Sequence, residues 1–335
     1  LGRSHDVFVT YSYSKEKGDM HNIDAKKDST LVYDLRTFRP SDIAYPDWNN
    51  KSWDGVSDTL FVTHMLSAGV RFNPLEQLHI LAGSSYAKFK SHYVENATRA
   101  NGSLYNEDTL TEQKHFTPYL GITFDVTPNQ SLYASYTSIF KPQLEYKDAG
   151  GNDLPPVIGT NYEIGWKSAW NNKRLNTAVA LFQIDQKNRA VYGGDDGMGN
   201  GYYINTGRVV SRGLDAEISG NLTDNWKLFA GYTYNDSKYR NDDEDYQAGQ
   251  RYSQHTPRSI FRLYTNYRLP GAAHRWSIGA GMNVQSRTGN LHDQPNLKQG
   301  GYTLWHADVQ YAPTDRIRLS LIGNNLSNKR YFENN

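Results

Sequence analysis

The 335-residue chain has no cysteine and only four methionines. The lack of cysteine excludes disulfides and thiolate metal sites but leaves the compartment open. Long apolar runs are also missing. No stretch approaches the ~18 apolar residues of a transmembrane helix. No charge sign dominates: Lys+Arg number 36 against Asp+Glu 35, for a net charge of +1. There is no basic block, so the electrostatic footprint of a nucleic-acid binder is absent. G-x-S-x-G, H-E-x-x-H, a phosphate-binding loop and a dinucleotide fingerprint are all missing, and no nucleophile constellation stands out. The sequence opens on Leu1-Gly-Arg-Ser-His with neither Met nor signal peptide, so a processed or partial chain is expected.

Aromatic residues are plentiful: 25 Tyr, 12 Phe and 7 Trp. These suit strands, interfacial belts and binding surfaces. The dominant pattern has period two. Asp215, Glu217 and Ser219 alternate with Leu214, Ala216, Ile218 and Leu222. Arg262, Tyr264, Asn266 and Arg268 alternate with Phe261, Leu263, Thr265 and Leu269. Similar alternations cover 116–126 and 276–287. Successive side chains of a strand point to opposite faces, so each segment has one apolar and one hydrated face. The pattern predicts about 13 strands, centred near residues 10, 66, 84, 121, 135, 165, 181, 216, 231, 264, 281, 307 and 320.

Their connections alternate in length. Short turns lie at Asn73-Pro-Leu-Glu-Gln, Thr127-Pro-Asn-Gln, Asn171-Asn-Lys-Arg, Thr223-Asp-Asn, Pro270-Gly-Ala-Ala-His and Pro313-Thr-Asp-Arg. Between them are polar segments read as long loops, at about 15–57, 91–114, 141–160, 187–208, 236–257 and 288–300. Short turns on one side and long loops on the other are the signature of an outer-membrane β-barrel. Trp166, Trp170, Trp226, Trp276, Tyr234, Tyr267 and Tyr311 stand at strand ends on the aliphatic face, as interfacial girdles do. A soluble β-sandwich would show shorter strands and no strict alternation of connections. The fold class expected is therefore all-β, an antiparallel transmembrane barrel. First and last strands both lead toward the long-loop side. An odd antiparallel set cannot close, and an open edge is not viable in lipid. At least one strand is thus expected after Asn335, and others before Leu1.

Several segments resemble TonB-dependent ferric-siderophore receptors. They are Ser131-Leu-Tyr-Ala-Ser-Tyr-Thr-Ser-Ile-Phe-Lys-Pro-Gln143, Gly159-Thr-Asn-Tyr-Glu-Ile-Gly-Trp-Lys167, Leu175-Asn-Thr-Ala-Val-Ala-Leu-Phe-Gln-Ile184, Ser211-Arg-Gly-Leu-Asp-Ala-Glu217, Thr256-Pro-Arg258, and Asn324-Asn-Leu-Ser-Asn-Lys-Arg-Tyr331. Six in the right order are a specific signal. The hydroxamate (coprogen/ferrioxamine) and pyoverdine receptors look most similar.

The resemblance implies a 22-stranded barrel around an N-terminal plug. Residues 1–335 would be a partial barrel domain, strands 9 to 21, with the plug, its TonB box and the last strand not in this chain. It implies a multi-pass protein of the Gram-negative outer membrane that binds a ferric siderophore outside and imports it with energy from TonB-ExbB-ExbD through the plug. Its other surroundings would be lipopolysaccharide and the outer membrane, its state a monomer, and nucleic acid no partner. No cofactor would be bound by protein side chains, since iron arrives as Fe(III)-siderophore, and no catalytic residues are expected. An outer-membrane enzyme barrel of phospholipase type or a passive porin is the alternative.

Binding a bulky, amide-rich ligand calls for aromatic surface and donors in an outward vestibule. The loop-side candidates are Tyr33, Arg36, Tyr45, Trp48, Trp53, Tyr93, Tyr105, Tyr146, Tyr192, Tyr202, Tyr203, Tyr246 and Tyr252. Loop self-packing or an interfacial belt would use the same residues. A second group, Glu163, Asp215, Glu217, Arg262, Arg268, Arg287, Asp308, Arg316 and Arg318, is read as facing the lumen. In the family such charges hold the plug, and that reading is preferred here over ligand contact. Asp195-Asp-Gly-Met-Gly-Asn200 and Asp242-Asp-Glu-Asp245 offer oxygen ligands for Ca²⁺ without EF-hand spacing. A solvated loop or cations bridging lipopolysaccharide fit them better, so no metal residue is assigned.

Overall fold

The computed structural model describes residues 4–25, 39, 41, 49, 51–99, 101–143, 146–195, 201–241, 247–291 and 294–332. Thirteen strands form one antiparallel sheet in chain order. They are β1 (Asp6–Ala25), β2 (Lys51–Phe72), β3 (Leu78–Arg99), β4 (Leu104–Thr127), β5 (Gln130–Lys141), β6 (Val157–Trp170), β7 (Leu175–Asp195), β8 (Gly201–Asn221), β9 (Trp226–Tyr239), β10 (Ser259–Arg268), β11 (Trp276–Gln285), β14 (Tyr302–Thr314) and β15 (Ile317–Gly323). A separate hairpin, β12 (Thr288–Leu291) with β13 (Gln294–Gln299), lies between β11 and β14. All thirteen expected strand centres fall inside sheet strands. Among the described residues no helix is long and apolar enough to cross a membrane, which says nothing of crossing by strands.

The chain divides into two units. The larger comprises 1–8, 68–84 and 117–335. Its registers sort the side chains by face. Leu181 pairs with Leu214 and Leu214 with Tyr234. Ala230 pairs with Leu263 and Leu263 with Met282. Trp226 pairs with Tyr267, Tyr267 with Ile278, and Trp276 with Tyr311. These rows form the apolar face. On the other face Glu163 pairs with Phe182, Ala180 with Asp215, Arg262 with Gly231 and Asp308 with Gly279. Few large apolar side chains are buried, while Leu181, Ile164, Ile278 and Leu321 are exposed. An exposed apolar stripe on a long sheet is what a lipid-facing surface requires.

The smaller unit comprises 9–67 and 85–116. In both units the structure corrects the sequence reading of the connections. The segments 15–57, 91–114 and 187–208 were expected as loops, but β1 runs to Ala25 and β2 from Lys51, β3 and β4 to Arg99 and from Leu104, and β7 and β8 to Asp195 and from Gly201. Segment 288–300 likewise holds β12 and β13. Beyond the apolar band a strand extension needs only backbone pairing, so its outer face need not be apolar. Along β4, Thr111 and Gln113 are buried while Leu110 and Glu112 are not, a two-residue period written almost wholly in polar side chains.

Candidate functional site

A cavity of about 510 Å³ sits at the long-connection end of β5–β7, within the larger unit. Ile139, Gly159 and Gln186 line it from the polar face, where the register sets them side by side. Tyr146, Arg189 and Tyr252 complete its aromatic and cationic wall. The Arg189 guanidinium lies 4.4 Å from the centre of the Tyr252 ring, in cation–π range. Tyr146 and Tyr192 each meet Tyr203 edge-on, with centroids 4.7 and 6.0 Å apart. Buried Gln143 fixes this corner: its amide donates to the Pro155 and Asn188 carbonyls and its oxygen accepts from the Ala190 amide. The arrangement offers aromatic faces plus one guanidinium, enough to hold a large polar, planar ligand by stacking and hydrogen bonding.

The smaller unit carries its own cluster. Trp53 and Tyr105 rings meet at 5.3 Å, and the Arg99 guanidinium lies 5.2 Å from the Tyr105 ring centre. Tyr93 donates to Glu95 and Tyr105 to Glu107, both at 2.6 Å. Burial and then the Glu95 hydrogen bond push the Tyr93 phenol up to about 12. For Tyr105 the Glu107 hydrogen bond comes first and burial second, to about 12 as well. Both phenols stay protonated, and so remain donors, throughout the physiological range.

Of the expected aromatic contacts, Tyr146, Tyr192, Tyr203 and Tyr252 come together, and Tyr202 packs over Gly193 on β7. Trp53 and Tyr105 join in the second cluster, with Tyr93 sharing its carboxylate-capped phenol pattern. Tyr93, Tyr105, Tyr192, Tyr202, Tyr203 and Trp53 stand on strand extensions, not on loops as expected. Tyr33, Arg36, Tyr45, Trp48 and Tyr246 lie outside the described residues, as do the acidic run 242–245 and residues 196–200.

The polar face gathers the expected charges into two groups. Glu163, Asp215, Glu217 and Arg262 line one cavity of about 420 Å³. Tyr133 donates to Glu163, and the Lys167 ammonium sits 4.7 Å from the same ring. Tyr133 also covers Gly165, where a Cβ would meet its ring at 2.5 Å, so only glycine fits beneath it. Arg268, Arg316 and Arg318 line a cavity of about 800 Å³ at the short-turn end. Asp308 is nearly buried and accepts from Tyr264 at 2.8 Å and Gln310 at 3.0 Å. Arg287 is apart from both groups, beyond the end of β11. Arg189, Gln143, Tyr133 and Tyr264 were not singled out from the sequence. Gln143 ends one of the family-like segments, and Tyr133 lies within it.

Residues 2–326 match the family model described as TonB dependent receptor-like, beta-barrel. The chain belongs to the TonB-dependent receptor family. Its match lies in that family's barrel domain. The ferric-pyoverdine M114 receptor PbuA of Pseudomonas sp. strain M114 is 33% identical over 340 residues, covering 99% of this chain and 40% of that receptor. The ferripyoverdine receptor of Pseudomonas aeruginosa is 30% identical, covering 100% and 40%. The chain thus spans about 40% of the length of these curated relatives. The structure of the pyoverdine outer membrane receptor of Pseudomonas aeruginosa bound to pyoverdine superposes with a TM-score of 0.78 at 27% identity, over 98% of this chain and 47% of that one. TonB-dependent receptors are outer-membrane proteins of Gram-negative bacteria, and this membership places the apolar face of the sheet in that membrane. The polar face is then the lumen side.

Proposed function

We propose that the chain is the greater part of the barrel wall of a receptor that binds a ferric siderophore at its extracellular end and imports it with energy from TonB. The pyoverdine class is the best-supported ligand, since the relatives named above are pyoverdine receptors. The observation that carries the reading is the 510 Å³ cavity, with Tyr146, Arg189 and Tyr252 in its wall and the Tyr192–Tyr203 pair beside it. It lies on the lumen side at the long-connection end, where an incoming ligand first meets the wall. Aromatic faces stack on planar ligand groups, while Arg189 offers donors to hydroxamate or carboxylate oxygens. Iron stays in the siderophore's own coordination sphere and is cargo, so no protein ligand to it is required.

On the lumen side, Glu163, Asp215, Glu217 and Arg262 would hold a plug supplied by the rest of the receptor. Arg268, Arg316 and Arg318 would meet it at the periplasmic end. Arg287 and Asp308 belong to the same wall, Asp308 mainly as an anchor for Tyr264. Energy from TonB-ExbB-ExbD would act through that plug.

Titrating the intact receptor with ferric pyoverdines and ferric hydroxamates, with tryptophan fluorescence as readout, tests the proposal. Saturable quenching by one of these is the expected result. Absence of quenching by every ferric siderophore, together with steady ion conductance in planar bilayers, would replace the importer by a porin.

A further inference from the structure

The 510 Å³ cavity at the long-connection end of β5–β7 has charge of one sign. Its charged lining residues are Lys141 and Arg189, with no carboxylate beside them. The 420 Å³ cavity on the same face has the opposite balance, with Glu163, Asp215 and Glu217 against Arg262. A cationic wall is thus not a general property of this face. The register explains why the two cations meet. Ile139, Gly159 and Gln186 form one row on the lumen side. The next residue of β5 on that face is Lys141, opposite Val157 and about 7 Å further along the strand. On β7 the bulge after Gln186 brings Arg189 round to the same side. Two strand spacings, about 10 Å, separate the two backbones, so two long side chains can close on one group from either side.

Among the described residues neither cation is neutralised. Lys141 is exposed and has no hydrogen bond or ion pair with any of them. Arg189 is half-buried, lies over the Tyr252 ring and likewise has no polar partner. Gln143 has spent its amide on backbone groups. Two like charges facing one cavity repel, and an anion placed between them relieves both at once. The hydroxamate or catecholate oxygens of a ferric chelate are already spent on the metal. The anionic group left for a protein is a free carboxylate, whose two oxygens match the guanidinium fork. Tyr146 and Tyr252 supply the adjoining aromatic faces.

We infer that this cavity selects ferric chelates by a free carboxylate beside a planar group, held between Lys141 and Arg189, and that Lys141 sets the preference. The inference rests on the import reading and names the substrate class within it. Arg189 also faces the Tyr252 ring, so its removal disturbs the aromatic wall. Lys141 has no described partner to lose, and its substitution reports on charge.

The test uses the full-length receptor in detergent, with ferric pyoverdine as the probe before and after its free carboxylates are converted to carboxamides in the iron-loaded form. Tryptophan quenching gives the Kd of each form. The parent should bind the carboxylate form about tenfold or more tightly than the carboxamide form, as hydrogen bonds to a charged group imply. Lys141→Gln should weaken the carboxylate form about tenfold and leave the carboxamide form within about twofold of the parent. Lys141→Arg should keep the preference. Equal binding of both forms by the parent overturns the proposal, since Glu145 on the same connection would then be neutralising the pair. In that case saturable quenching by both forms leaves the import reading standing. A loss in Lys141→Gln that is the same for both forms also overturns the proposal. Quenching by neither form counts against the import reading, and the carboxylate preference falls with it.

Discussion

Gly279 gives a sharp test of how the lumen wall is packed. It pairs with Asp308 across β11 and β14. A Cβ built on it would lie 1.9 Å from Asp308 Oδ1, 2.6 Å from Cγ and 2.7 Å from the Tyr264 hydroxyl oxygen. Its backbone is outside the left-handed region, so the whole penalty of Gly279→Ala is the clash. Alanine must evict the Asp308 carboxylate, which is only 8% exposed and accepts from Tyr264 and Gln310. Hydrogen bonds to a charged group contribute about 1.5–3 kcal/mol each. Lumen water takes over part of that, so a loss of about 2–4 kcal/mol is expected.

Gly231 is the matched control, being on the same face, with its nearest neighbour 3.7 Å from a built Cβ. Gly231→Ala should therefore stay within about 0.5 kcal/mol of the parent. In an Asp308→Ala background the cost of Gly279→Ala should fall by at least about 1 kcal/mol, because the obstacle is gone. Guanidinium unfolding of the receptor in lipid vesicles, followed by tryptophan fluorescence, measures the parent and all four variants. Equal stability of Gly279→Ala and Gly231→Ala would refute the packing argument. So would a cost that survives removal of Asp308.

Tyr203→Ala removes the ring shared by Tyr146 and Tyr192. With each aromatic pair contributing about 0.5–1.5 kcal/mol, ferric-siderophore binding should weaken roughly 5- to 150-fold, and an unchanged Kd in the quenching titration would remove this cluster from the site. Tyr93 and Tyr105 have folded-state pKa values of about 12, above the usual phenol value. The neutral phenols therefore stabilise the fold fully below pH ~10, and that contribution is lost as pH rises through about 12. Tyrosinate absorbance of the parent and of a Tyr93→Phe/Tyr105→Phe variant should coincide up to pH ~11 and diverge above it, whereas divergence near pH ~10 would contradict the assignment. Leu263→Arg puts a charge midway between the Tyr234 and Trp226 rows and should cost about 2–4 kcal/mol in vesicles; a cost under ~0.5 kcal/mol would mean that this face does not meet lipid.

The sheet was legible because the membrane writes an asymmetry into it. Leu214, Ala216 and Ile218 against Asp215, Glu217 and Ser219 read as one strand with two solvents, and the register confirms the split. The same contrast set Trp226, Tyr267, Trp276 and Tyr311 on the apolar face. Past the headgroups both faces meet water and the contrast vanishes. Asn106, Asp108 and Leu110 alternate in space with Glu107, Thr109 and Thr111, yet hydrophobicity shows nothing there. The extensions of β1 to β4, β7 and β8 were read as loops for this reason.

The candidate site failed to appear whole in the sequence for a more local cause. Its tyrosines could be named by type, but Arg189 could not. Counting by twos along β7 puts Arg189 with Asp185 and Lys187, on the exterior face. Between Gln186 and Arg189 the ladder to β8 slips, three residues of β7 advancing against two of β8, from Val209 to Gly207. Asn188 takes up the slip with φ at 61°, a left-handed conformation that asparagine tolerates better than most residues. Gln143 accepts the Ala190 amide and donates to the Asn188 carbonyl, satisfying polar groups that the bulge takes out of the ladder. One extra residue thus turns Arg189 from the lipid side to the lumen side, over Tyr252 and into the cavity with Ile139 and Gln186. Strand parity and bulge together decide which solvent a charge meets. On β7 they send Asp185 and Lys187 to the membrane surface and Arg189 to the vestibule, within a span of five residues.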